Sequence, residues 1–130
     1  GLKEVCLTLK SLIRKIPMLG ISTGYQLLAR ALGGKINKLK IGHRGVNYPI
    51  RRPGSFKGEI TVQNHRLSVD AASLKKVKDI KITAYNLNDQ TIEEIESKKL
   101  KILGVQYIPA SPGFNEVNSV FKKFANMLKE

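Results

Sequence analysis

The segment Gly20-Ile21-Ser22-Thr23-Gly24-Tyr25-Gln26 narrows most what this chain can fold into. Before it, Ile16-Pro17-Met18-Leu19-Gly20-Ile21 is short, apolar and closed by a glycine. After it, Gln26 to Leu32 has helical spacing and stops at Gly33-Gly34. A strand must therefore turn straight into a helix at Ser22. Glycines two before and two after the serine let the backbone bend tightly and leave room beside its side chain. The hydroxyl is then presented at a helix N-terminus, where free N–H groups can hold an oxyanion. The turn is shaped for a nucleophile, and it calls for a fold that alternates strands and helices.

The rest of the chain extends that alternation. The spacing predicts a helix over 2–15, a strand over 16–21, a helix over 24–32, a strand near 35–41, a Gly/Pro/Arg-rich loop over 42–58 and a strand over 59–63. Residues 66–69 pair back on 59–63 in this reading, 72–78 make a helical turn, and 81–85 alternate as a strand should. Asn88-Asp89 is a turn, Ile92–Ile95 a further strand, and Lys101–Tyr107 the last one. Phe114, Val117, Val120, Phe121, Phe124, Met127 and Leu128 mark an amphipathic C-terminal helix. Helix-strand-helix at one end and strand-helix at the other argue for a layered α/β sheet with a small antiparallel patch in the middle. A length of 130 residues makes residues 1–130 one domain.

No apolar run approaches membrane-spanning length and no basic-then-apolar leader opens the chain, so a cytoplasmic protein with no membrane contact is expected. The lone Cys6 excludes an internal disulfide and falls on one helical stripe with Leu2, Leu9, Leu12, Ile13 and Ile16, as a small buried hydrophobe would. The net charge of +13 is uneven: residues 1–58 hold twelve Lys/Arg against Glu4 alone. Its densest stretch is Lys35, Lys38, Lys40, Arg44, Arg51, Arg52 and Lys57. Only Tyr48 and Phe56 there could stack on bases, and no zinc or nucleic-acid-binding motif accompanies the charge, so a solvated basic face is the reading preferred over a nucleic-acid-binding module.

Gly-x-Ser-x-Gly alone suggests a serine hydrolase, in which an acid and then a histidine follow the serine. That order fails: His43 and His65 are the only histidines, only Glu59 lies between Ser22 and His65 among acids, and every aspartate comes later. A Ser22–His65 dyad stays open, although His43 and His65 read first as loop-end hydrogen-bonding residues.

Four segments in order carry a resemblance: Gly20–Leu28, then Lys40-Ile41-Gly42-His43-Arg44-Gly45-Val46-Asn47-Tyr48-Pro49, then Ile60-Thr61-Val62-Gln63-Asn64-His65, then Gln106-Tyr107-Ile108-Pro109-Ala110-Ser111-Pro112-Gly113. Together they resemble the class I glutamine amidotransferase domain of the carbamoyl-phosphate synthetase small subunit. The resemblance implies a flavodoxin-like, mostly parallel sheet flanked by helices, here N-terminally truncated. It implies neither metal nor cofactor. It also implies a carbamoyl-phosphate synthetase large subunit as partner, with glutamine-derived ammonia serving carbamoyl phosphate, arginine and pyrimidine synthesis.

That family uses a Cys-His-Glu triad, in Gly-Ile-Cys-x-Gly-His-Gln and Gln-x-His-Pro-Glu-x-x-Pro-Gly. Here Ser22 stands at the nucleophile position, Ile108 at the base position and Ala110 at the position of the orienting glutamate. A serine hydroxyl without a base is a far weaker nucleophile than a thiolate, and neither isoleucine nor alanine replaces what is lost. The resemblance thus implies a degenerate domain without glutaminase activity; ammonia-using relatives with serine at this position are similar. Gln26 and Asn64 match glutamine-contacting positions, while Tyr25 replaces a histidine and Arg66 a glycine lining the pocket, so glutamine binding is expected to be impaired. An edge bared by truncation, with the apolar face of helix 2–15, leads us to expect either the large subunit or self-association.

Overall fold

A computed structural model describes residues 1–55, 58–110 and 116–130, and of Asn47 only the backbone. Helix α1 (Leu2–Leu12) ends where Arg14 takes a left-handed φ of 75° and Pro17 follows, three residues sooner than its periodicity suggests. Strand β1 (Met18–Ile21) then runs into helix α2 (Thr23–Ala31), which stops at Gly33, where a φ of 103° suits glycine. Next come β2 (Ile36–Arg51), β3 (Gly58–Val69), the short α3 (Ala71–Lys75) capped by the Asp70 carboxylate, β4 (Lys81–Asn86), β5 (Ile92–Ser97) and β6 (Ile102–Val105). Helix α4 (Ser119–Lys129) closes the described chain, its first turn capped by Asn118.

The six strands form one sheet in the order β1-β6-β5-β4-β2-β3. Alternation along β6 explains the layering: Leu103 and Val105 pack with Val120 and Met127 of α4, whereas Ile102 packs with Leu28 of α2. Val69, Leu74, Ile92 and Ile95 build the second core around Tyr25 and Ala29 of α2. The sheet is thus sandwiched between α4 and α2 with α3. Helix α1 has no buried residue and leans on α2 through the middle of its stripe, with Cys6 and Leu9 half-buried while Leu2 and Ile16 stay exposed.

The layered α/β class is as expected, but the balance of strand directions differs. Among the described strands, parallel pairing joins only β1 and β6; β6–β5, β5–β4, β4–β2 and β2–β3 are antiparallel, so the sheet is mixed rather than mostly parallel. The largest correction is at 42–58. Most of this stretch is strand, because β2 continues to Arg51, accommodating its glycines and Pro49 through register shifts between Lys38 and His43 and between Gly45 and Tyr48. Residues 66–69 do not fold back on 59–63; both belong to β3, and Val69 pairs with Ile36. His43 and His65 accordingly face each other in register inside a ribbon rather than ending loops. Phe56, Lys57, Ser111, Pro112, Gly113 and Phe114 lie outside the described residues.

Candidate functional site

The turn after β1 has the strain its sequence calls for, though not where glycine would absorb it. Ser22 itself adopts φ 54°, ψ −113°, its N–H donating to Val105 O at 2.8 Å and its carbonyl accepting from Gln26 N at 3.1 Å. Gly20 is required by packing, since a Cβ there would lie 2.9 Å from the backbone of Tyr25. Gly104, its register partner on β6, would meet Tyr25 Cδ1 at 2.7 Å. Two glycines on adjacent parallel strands therefore let the fully buried Tyr25 lie flat on the sheet and fix the start of α2. Gly24 needs no such explanation: nothing lies within 4 Å of a Cβ there, and the expectation that it opens the turn is corrected.

Because β1 and β6 are parallel neighbours, Ser22 and the segment that carries Ile108 and Ala110 leave the sheet at the same end, past the carboxyl ends of these two strands. Ser22 is tied to Val105, and the chain leaving β6 meets β3 where Ile108 N donates to Val62 O at 2.8 Å. Asn118 Nδ2 donates to Ala110 O at 2.7 Å, linking the same segment to α4. Ile108 and Ala110 share a shallow groove of about 200 Å³ with Thr61, Val62, Tyr107 and Asn118, which Ser22, Gln26 and Asn64 do not line. Gln26 is buried and committed, its Nε2 donating to Gln106 Oε1 at 3.0 Å and Leu67 O at 3.2 Å. Asn64 is exposed on β3 opposite Arg44.

Among the described residues, no side chain activates Ser22. Ser22 is half-buried, and its hydroxyl makes no hydrogen bond to the helix it caps. Both imidazoles point elsewhere. His43 Nε2 donates to Asp89 Oδ2 at 2.5 Å, His65 Nδ1 donates to Leu67 O at 2.9 Å, and the remaining ring nitrogens converge on Gln63 Oε1 at 2.9 and 2.8 Å. Burial pushes His65 below the usual histidine range. Burial alone would raise Asp89, but hydrogen bonds from Thr91 and His43 hold it below the usual carboxylate range.

Two buried carboxylates on β5 were not legible as a site, and their environments drive them apart. Ala84 pairs with Glu94 and Tyr85 with Ile92, which leaves Glu93 as the extra residue of a bulge. Glu93 is fully buried, bonded through Oε2 to Gln63 Nε2, and burial together with nearby Asp89 pushes it up to about 8 despite that bond. Glu94 is equally buried, yet a bond from Thr83 at 2.5 Å and the cations of Arg52 at 2.5 Å and Lys123 at 3.0 Å keep it low. Tyr107 O–H donates to Glu94 Oε1 at 3.1 Å, which anchors the segment carrying Ile108 and Ala110 to the sheet. Arg52 is thus a structural cation. Lys35, Lys38, Lys40, Arg44 and Arg51 of the basic stretch are exposed.

No helix among the described residues is long and apolar enough to cross a membrane. A family model described as glutamine amidotransferase class-I matches residues 2–127. Over 123 residues the chain is 44% identical to the carbamoyl phosphate synthase small chain of Syntrophotalea carbinolica, covering 94% of this chain and 32% of that protein. It is 40% identical over 123 residues to the chloroplastic carbamoyl phosphate synthase small chain of Arabidopsis thaliana, covering 94% and 28%. The chain thus spans about a third of the length of these relatives. Its fold is similar to that of a glutamine amidotransferase from Thermotoga maritima, with a TM-score of 0.68 at 19% identity, covering 98% of this chain and 54% of that one.

Proposed function

From the premise that this chain belongs to the class I glutamine amidotransferase family, we propose that it is a domain of the carbamoyl-phosphate synthase small-chain type that does not hydrolyse glutamine. One observation carries the reading: Ser22 occupies the strained turn after β1 with no imidazole bonded to it, while both histidines are engaged in a separate buried cluster. An ordinary hydroxyl needs a general base within hydrogen-bond reach to attack an amide. Ile108, at the base position, offers only a hydrocarbon side chain, and Ala110, at the orienter position, only a methyl group. Members of such a triad act as a unit, so losing all three removes the chemistry rather than slowing it by steps.

The substrate pocket points the same way. Both donors available on the Gln26 amide nitrogen are directed at Leu67 and Gln106, leaving none for a bound amino acid. Arg66 lies on the exposed face of β3, its Cγ 3.1 Å from the place a Cβ on Gly42 would take. The surviving role is then association. The relatives are named as small chains, and α1 leaves Leu2 60% and Leu7 59% exposed, an apolar surface suited to a large-subunit partner or a second copy. A strictly monomeric species that also ignores the large subunit in light scattering would refute this part.

A fluorophosphonate probe with intact-mass detection tests the site itself. We expect no adduct on Ser22. A stoichiometric adduct that disappears in Ser22→Ala would restore an activated serine and with it the serine-hydrolase reading.

A further inference from the structure

The amidotransferase reading leaves one polar cluster unused, and its donor atoms do not balance. It lies in the core where side chains of the β2–β3 ribbon meet the Glu93 bulge of β5. Asp89, an acceptor, sits on His43 Nε2, and the Leu67 carbonyl, also an acceptor, sits on His65 Nδ1; each ring therefore carries its N–H on that side. With both rings neutral, the other nitrogens, His43 Nδ1 and His65 Nε2, present lone pairs to each other at 3.2 Å. Gln63 Oε1, a third acceptor, points at both from 2.9 and 2.8 Å. Glu93 completes the set: its Oε1 is buried and has no hydrogen-bond partner among the described residues. Acceptors thus converge with no donor between them, and the ligating atoms of His43, His65 and Glu93 all lie within 4.8 Å of one another.

We propose that His43 Nδ1, His65 Nε2 and the Glu93 carboxylate form a binding site for a divalent transition-metal ion of the zinc type, with Gln63 Oε1 as a fourth donor. Two imidazole nitrogens each about 2.0–2.1 Å from a tetrahedral ion stand about 3.3–3.4 Å apart, and the observed separation is 3.2 Å. Two histidines and one carboxylate are a zinc ligand set, and imidazole also suits cobalt, nickel and copper. The outer partners fit as well. A ligating histidine usually donates its far N–H to a carboxylate or a backbone carbonyl, which fixes its tautomer; Asp89 does this for His43 and Leu67 for His65. Of the four donors, His43 reaches the surface: with Asp89 it lines a cleft of about 470 Å³ shared with Lys40, Gly42, Tyr48 and Thr91. The ligands come from β2, β3 and the β5 bulge, so a bound ion would clamp the long ribbon to the centre of the sheet.

The cluster can also be balanced without metal, by turning the Gln63 amide so that its NH2 serves both lone pairs while a protonated Glu93 donates to the amide oxygen. Metal titration separates the two arrangements. The full chain, stripped with a chelator, is titrated with zinc chloride by calorimetry and with cobalt chloride by visible absorption. We expect one equivalent of either ion, intense cobalt bands typical of tetrahedral nitrogen and oxygen ligation, and an affinity at least 10-fold lower in Glu93→Gln and in His65→Gln. Cys6→Ser, remote on α1, should bind as the unaltered chain does. Circular dichroism of the variants before metal addition checks that they are folded, and Glu93→Gln preserves shape should His65→Gln fail that check. Absence of saturable uptake, octahedral-type cobalt spectra, or uptake unchanged in Glu93→Gln would overturn the site in favour of the turned amide.

Discussion

Glu93→Gln in chelated protein should stabilise the fold increasingly as pH rises. The carboxyl is fully buried and raised from 4.5 to about 8, chiefly by burial. Between those values the native state holds a proton that the unfolded chain releases, so stability falls with pH: the contribution is fully present below about 4.5 and lost as pH rises through about 8. At about 1.36 kcal/mol per pKa unit the whole effect amounts to about 5 kcal/mol, a large share of the roughly 5–15 kcal/mol that holds a domain together. Glutamine keeps the neutral shape and cannot ionise. Asp89, His65 and Glu94 titrate too, but in both proteins, so the difference between them isolates Glu93. Urea unfolding at pH 5.5 and pH 8.5 should show the advantage of Glu93→Gln growing by about 3 kcal/mol, which for a urea slope of about 1–3 kcal/mol/M moves the relative midpoint by about 1 M or more. An advantage that stays constant over this range would refute the buried, protonated carboxyl.

Other substitutions probe the frame around the turn and the segment after β6. Gly104→Ala places a methyl 2.7 Å from Tyr25 Cδ1 and should lower stability by about 1–3 kcal/mol in thermal or urea unfolding. Gly24→Ala, with open space around its Cβ in α2, should instead raise it by about 0.5–1 kcal/mol. Glu94→Gln takes the buried carboxylate from Arg52 and Lys123, which keep Glu59 and Glu96 as partners, and should cost about 1–3 kcal/mol at neutral pH. Because Glu94 titrates below its ordinary value, that cost should shrink as pH falls through the lowered pKa, where the unaltered protein loses the charge as well.

The turn at Ser22 was legible because it depends on neighbours in sequence: an apolar run, a glycine, then helical spacing. Its finer cause was not, since Gly20 is demanded by Tyr25 five residues on and by the close approach of Gly104 from a distant strand. The 42–58 stretch misled because glycines and Pro49 break local strand propensity, whereas Pro49 is tolerated through its pairing with Ile60 and Leu87 N donating to its carbonyl. The mixed sheet escaped for a similar reason: direction depends on how β4, β5 and β6 pair, and no periodicity encodes it. The polar cluster and the Glu94 network were hidden most deeply, because each draws single residues from several elements and a bulge at Glu93 sets its aim.

Ammonia release from glutamine, measured for the purified chain and for Ser22→Cys, each alone and with a carbamoyl-phosphate synthetase large subunit, decides whether this domain hydrolyses glutamine. We expect no release above buffer in any mixture, because on the proposed reading Ile108 and Ala110 stand where a base and its orienter would be needed, even with a thiol at the turn. Release by the unaltered chain that vanishes in Ser22→Ala would mean that the domain is a working glutaminase in which another base, His65 first among them, activates the serine.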